Sequence, residues 1–156
     1  LLVTANVQPP EELLATEYHR TLGLLATLDA APKVASPGGM QDPDGTFSFV
    51  ADNQAKGLST SPAITLNANN AFSLQYWDYP PDEIHAMLIE RAKSWLGTAN
   101  IVESQVKRWR FATPATIWPD RCWHTEQLVL AGDAFGGPKV EGAALSGLAA
   151  AKALSE

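Results

Sequence analysis

Apolar and polar positions alternate through the middle of this chain and recur at helical spacing towards its end. Over residues 17–28, Tyr18, Leu22, Leu24, Leu25 and Leu28 make an extended run that is apolar on both faces, with His19 as an edge residue. Gly23 inside that run predicts a bulge or a close backbone contact. Over 46–52, Phe47, Phe49 and Ala51 alternate with Thr46, Ser48 and Val50, which predicts a strand. Residues 63–68 predict a third strand and residues 71–77 a fourth. Asn69-Asn70 joins those two as a β-hairpin, because Asn tolerates left-handed turn conformations. Over 101–112, Val102, Ser104, Val106 and Arg108 alternate with Glu103, Gln105, Lys107 and Trp109. That pattern is a strand with one polar face, ended by Thr113-Pro114.

The helical period is clearest after Pro80-Pro81-Asp82-Glu83. Ile84, Met87, Leu88, Ala92, Trp95 and Leu96 follow the i, i+3, i+4 rule, and Gly97 stops the helix. His85 and Glu90 fall on its polar side, so it is expected to cover the sheet and carry no chemistry. Near the start, residues 1–5 read as a strand, and Pro9-Pro10-Glu11-Glu12 opens a short helix. Residues 35–45, 53–62 and 118–124 are expected to be loops.

Residues 127–154 are built differently. Leu128–Ala131 is a short apolar run, enough for one buried strand, and Gly132-Asp133 ends it. A loop with Gly136, Gly137 and Pro138 follows, then an Ala- and Leu-rich helix over 140–154. Gly142, Ala143, Ser146, Gly147 and Ala150 leave one helix face nearly bare, so a flat group or another backbone can pack there. A turn of this kind aims free N–H groups and the positive end of a helix dipole at its contents, and Asp133 is placed to accept from sugar hydroxyls. A polyol or an electron-rich ring edge is a natural guest; a plain strand–turn–helix with no ligand fits the same pattern.

Composition narrows the function classes. The 156 residues suffice for a real core. A net charge of -6 argues against nucleic acid and anionic membranes as partners. Cys122 is the single cysteine, which excludes an internal disulfide framework, fits a reducing compartment and reads as a small buried residue. No apolar run approaches the roughly 20 residues of a membrane span, and the N-terminus does not read as a signal peptide. There is no paired-His metal motif, no Cys-x-x-Cys and no nucleophile elbow, and Asp120 with His124 makes no convincing acid–base pair. Metal ligands and a hydrolytic centre are therefore not expected.

Gly132-Asp133-Ala134-Phe135, Val140-Glu141-Gly142-Ala143 and Ser146-Gly147 together resemble the C-terminal flavin-binding motif of the FAD-dependent amine oxidase superfamily, and most closely its renalase-like branch. The resemblance implies FAD as cofactor, with Gly132 and Asp133 at its ribityl–pyrophosphate region. Val140, flanked by Lys139 and Glu141, would then lie at the pyrimidine edge of the flavin. An Asn53-x-x-Lys56 segment and the Trp109-Arg110-Phe111-Ala112 run are similar to the same branch, which makes Lys56, Trp109 and Arg110 substrate-cavity candidates.

The G-x-G-x-x-G turn that such proteins use for the pyrophosphate is found nowhere in the sequence. The resemblance thus implies the C-terminal part of a longer flavoprotein, inactive without its N-terminal half. The fold expected is α+β: a mostly antiparallel substrate-domain sheet covered by helices (residues 15–126), with residues 1–14 and 127–156 as βα elements of a Rossmann-like FAD domain. The activity implied is hydride transfer from an amine or a reduced nicotinamide to FAD with O2 as oxidant, on a small molecule, in the cytoplasm, with no catalytic residue identified. A binding or interaction domain that keeps the fold without the cofactor is the alternative from another class.

Overall fold

The computed structural model describes residues 7–42 and 45–155; the strand expected at residues 1–5 lies outside the described residues. In chain order the elements are α1 Glu11–Leu14, β1 Tyr18–Leu28, β2 Gly39–Gln41, β3 Phe47–Asp52, β4 Ala63–Ala68, α2 Asn70–Tyr76 and α3 Pro81–Leu96. There follow β5 Ile101–Pro114, β6 Trp123–His124, β7 Val129–Leu130, α4 Asp133–Gly136 and α5 Val140–Ala153. The chain divides into two compact units, Arg20–Arg110, and Leu1–His19 with Phe111–Glu156. The fold is α+β. A five-stranded sheet in the order β2-β3-β4-β1-β5 pairs antiparallel at β2·β3, β3·β4 and β4·β1.

The unit Arg20–Arg110 owes its core to alternation. Leu22, Leu24, Ala26 and Leu28 of β1 and Ile64, Leu66 and Ala68 of β4 are buried on one face. Ile84, Leu88, Ala92 and Leu96 of α3 close that core at four-residue spacing, with Met87 and Trp95 at its margin. Each such side chain withdrawn from water contributes about 1.5–3 kcal/mol. Pro81 sits in the first turn of α3, and Gly97 ends it at φ 65° with its backbone close to Lys33. The opposite sheet face carries Leu25, Thr27, Thr65 and Asn67, half-buried or exposed.

The expected hairpin after β4 does not form. Asn69 accepts from the Phe72 N–H at 2.9 Å as an N-cap, and 70–76 is helical. A strand would have placed Phe72, Leu74 and Tyr76 on one face, whereas Leu74 is 52 % exposed and Phe72 and Ser73 are buried. The helix still serves β1. Asn70 Oδ1 accepts from the Arg20 N–H at 2.9 Å and Ser73 Oγ from the Leu22 N–H at 3.0 Å. Side chains three apart on α2 thus do for alternate β1 amides what a neighbouring strand would have done.

Other expectations also shift. The loop at 35–45 contains β2, which pairs with β3 through Gly39↔Ala51 and Gln41↔Phe49. Gly23 marks a close contact and no bulge: a Cβ there would meet Asn67 Oδ1 at 3.0 Å, and its pairing with β4 is regular. The irregularity lies in β3 between Phe47 and Phe49.

In the other unit, Leu13, Ala134 and Phe135 form a small core with Tyr18, Trp118, Trp123 and Leu130 packed on it. β6 and β7 pair antiparallel through Trp123↔Leu130 and His124↔Val129. The segment expected as a loop around 118–124 therefore ends in a strand, and the apolar run at 128–131 gives a two-residue, half-buried strand. Cys122 is likewise half-buried. No described helix is long and apolar enough to cross a membrane.

Candidate functional site

The turn after β7 is the best-built feature of the unit Leu1–His19 with Phe111–Glu156. Gly132 adopts φ 151° and ψ -166°, a conformation that favours glycine, and its carbonyl accepts from the Phe135 N–H at 3.1 Å. The expected loop over 134–139 instead begins with the single turn of α4, closed by the Gly137 N–H on the Asp133 carbonyl at 3.0 Å. Gly137 at φ 102° then redirects the chain into α5, with Lys139 as its N-cap.

Two positions of the small-residue stripe hold the turn on α5. Gly136 and Gly142 lie backbone to backbone, so close that a Cβ on either would overlap the other's carbonyl. Buried Ser146 accepts the Gly132 N–H on its Oγ at 2.9 Å. The stripe therefore packs another backbone, as its composition suggested, while Gly147 on α5 remains exposed with open space over it. The amides of Val140, Glu141 and Gly142 begin α5 and have no acceptor within the helix. Val140 is 90 % exposed beside them, and Lys139 and Glu141 are exposed on either side.

Asp133 is half-buried at the start of α4. The Tyr18 hydroxyl points to its Oδ1 at 3.5 Å, the long limit of a hydrogen bond. Burial pushes the Tyr18 phenol above the usual tyrosine range, and the Asp133 charge and this hydrogen bond push it further. The Phe111 ring meets Tyr18 edge-on with centroids 5.7 Å apart. The Trp118 N–H donates to the Ala134 carbonyl at 2.7 Å, and its indole Nε1 is buried without an acceptor among the described residues.

The chain matches no model of a known protein family and no curated protein.

The three cavity candidates lie in the unit Arg20–Arg110. Phe49 pairs with Asn67 and Asn67 with Gly23, so all three share the open face of the sheet. Lys56 Nζ stands 5.2 Å from the centre of the Phe49 ring at one end of this row. Trp109, 56 % exposed, has its Nε1 3.8 Å from where a Gly23 Cβ would stand, at the other end. Lys56 and Trp109 thus flank one row. Arg110 follows Trp109 in β5 and projects from the opposite pleat. The sequence assigned no site role to Tyr18 or Asn67, and it named Ser146 only within the small-residue stripe and the motif, without its bond to Gly132. Ser146 carried a signal, as a small polar residue four positions after Gly142 on a bare helix face; Tyr18 carried none. Among the described residues no group of His, Cys, Asp and Glu could hold a metal ion.

Proposed function

We propose that this chain is the C-terminal part of a flavin-dependent oxidoreductase of amine oxidase type. The unit Leu1–His19 with Phe111–Glu156 would belong to a Rossmann-like FAD domain, and Arg20–Arg110 to the substrate domain. The observation that carries this reading is the start of α5, where first-turn amides with no acceptor in the helix stand beside a valine that is 90 % exposed, after a turn that opens on an acid, Asp133. The turn has room for such a group: a Cβ on Gly132 or Gly137 would meet nothing within 4 Å among the described residues.

When bound, FAD would supply the chemistry, accepting a hydride from an amine or a reduced nicotinamide and passing the electrons to O2. The chain's own groups bind and orient. The first-turn amides of α5 would donate to the oxygen-bearing edge of the ring, and Val140 would lie beside it. The positive end of the helix favours negative charge at that edge. Asp133 would accept from sugar hydroxyls, with the Tyr18 hydroxyl directed at one of its carboxylate oxygens. Gly132 contributes shape alone, since its amide is already held by Ser146. Lys139 and Glu141 would flank the ring edge. Lys56 and Trp109 are the substrate-facing candidates on the sheet. Hydride transfer needs no positioned base, and no catalytic residue is assigned.

The glycine-rich turn for the pyrophosphate would come from an N-terminal half, so the 156-residue chain alone is expected to be inactive; steady turnover by it would overturn this. The single cysteine supports a reducing compartment, and we place the protein in the cytoplasm. In the full-length protein, Asp133→Ala should weaken FAD retention by about 1.5–3 kcal/mol, the worth of a hydrogen bond to a charged group. Unchanged flavin affinity, measured by dialysis, would remove Asp133 from the site. The satisfied Gly132 amide favours a second reading, a binding domain that keeps the turn for its own packing and holds no cofactor.

A further inference from the structure

The open face of the sheet in the unit Arg20–Arg110 carries a cavity of about 420 Å³ that the flavin reading does not use. Leu25 and Thr27 of β1 and Ala63 of β4 line it on one side, and Glu103 and Gln105 of β5 on another. The loop 53–59 forms its wall, and that wall is preformed. Buried Asp52 accepts the Gln54 and Ala55 N–H groups at 3.0 and 2.9 Å. The Asn53 carbonyl accepts from the Leu58 and Ser59 N–H groups at 2.8 and 3.1 Å, and Asn53 Nδ2 donates to Thr65 Oγ1 at 3.0 Å. This bracing holds Leu58 at the cavity with 73 % of its surface in water. With Leu25 and Ala63, Leu58 gives the cavity an apolar wall that an aliphatic body would cover.

Charge selects the rest of the ligand. Among the described residues lining the cavity, Glu103 alone is charged, and no described cation pairs with it. The surrounding groups include the Thr27 hydroxyl and the Asn53 and Gln105 amides, whose oxygens can accept from a donor-rich head. The net charge of -6 adds a field in the same direction. We infer that this cavity binds a small organic cation, an ammonium or guanidinium head on an apolar body, with the head at Glu103 and the body between Leu25 and Leu58. The site lies within one unit and stands whether or not the flavin reading does.

The probe is n-hexylammonium chloride, titrated calorimetrically into the intact chain at low ionic strength, with n-hexanol and hexanoate as neutral and anionic matches. The ammonium should bind about two- to fivefold tighter than the alcohol, the worth of an ion pair with an exposed carboxylate, and hexanoate weakest. Glu103→Gln should reduce the ammonium to the alcohol's affinity and leave the alcohol unchanged. Gln105→Lys, which places a competing cation beside Glu103, should weaken the ammonium alone. Leu58→Ala should weaken ammonium and alcohol alike. Equal binding of the three probes would overturn the inference. So would binding of none of them, or ammonium binding indifferent to Glu103→Gln in a variant with unchanged circular dichroism.

Discussion

Tyr18 reports on the turn. Its phenol is held above the usual tyrosine range by burial first and by Asp133 second. Asp133→Asn should therefore bring its titration part of the way down, as read by phenolate absorbance. An unchanged titration would mean that the two groups do not meet. A raised value means that the contribution is whole below the ordinary tyrosine value, about 10, and is lost as pH rises through the folded value. Tyr18→Phe should flatten that alkaline loss. Asp29 has the opposite sign. The Asn100 side chain donates to Asp29 Oδ2 at 2.8 Å and its backbone N–H to Oδ1 at 2.7 Å, and these bonds hold the carboxyl below the usual range. Its contribution is present above the ordinary carboxylate value and lost as pH falls through the folded one. Asp29→Asn should remove that part of the acid limb in denaturation at stepped pH. The place of Asp133 at the turn was legible in the sequence because a Gly-Asp pair after an apolar run has a local meaning. Tyr18 was not, since 115 residues separate it from its partner and only the fold brings them together.

At the scale of elements, local chemistry decided where alternation was ambiguous. The stretch after Ala68 alternates well enough for a strand, yet Asn69 caps a helix there and α2 supplies Asn70 and Ser73 to β1. Asn69→Ala should cost about 1 kcal/mol, the usual loss of an N-cap, in urea denaturation. No loss would return the stretch to its strand reading. The long, strongly periodic α3 and the alternating β3, β4 and β5 were legible because many positions agree. The three-residue β2 and the one-turn α4 were not, because so few residues carry no period. The glycines of α5 make a paired test. Gly142→Ala forces a methyl into the Gly136 backbone and should destabilise by about 1–3 kcal/mol, the range for overpacking. Gly147→Ala meets nothing within 4 Å among the described residues and should stabilise the helix by about 0.5–1 kcal/mol.

For the whole molecule, the α+β class follows from strands that bury one face and a helix that fills it. Leu22 and Leu24, with buried Gly23 between them, share a face with Ile64 and Leu66, which flank half-buried Thr65, and Ile84, Leu88, Ala92 and Leu96 complete the core. The division into Arg20–Arg110 and a unit containing both chain ends was less visible, because its boundaries fall inside β1 and β5, where the strand pattern runs on. The central claim is that the turn at Gly132–Asp133 and the start of α5 form part of a flavin site. The most direct measurement is the visible absorption spectrum of the full-length product of the gene that encodes this chain, taken after desalting. The account predicts a flavin spectrum that persists through desalting; a folded, colourless protein would contradict it and leave the turn as a packing device.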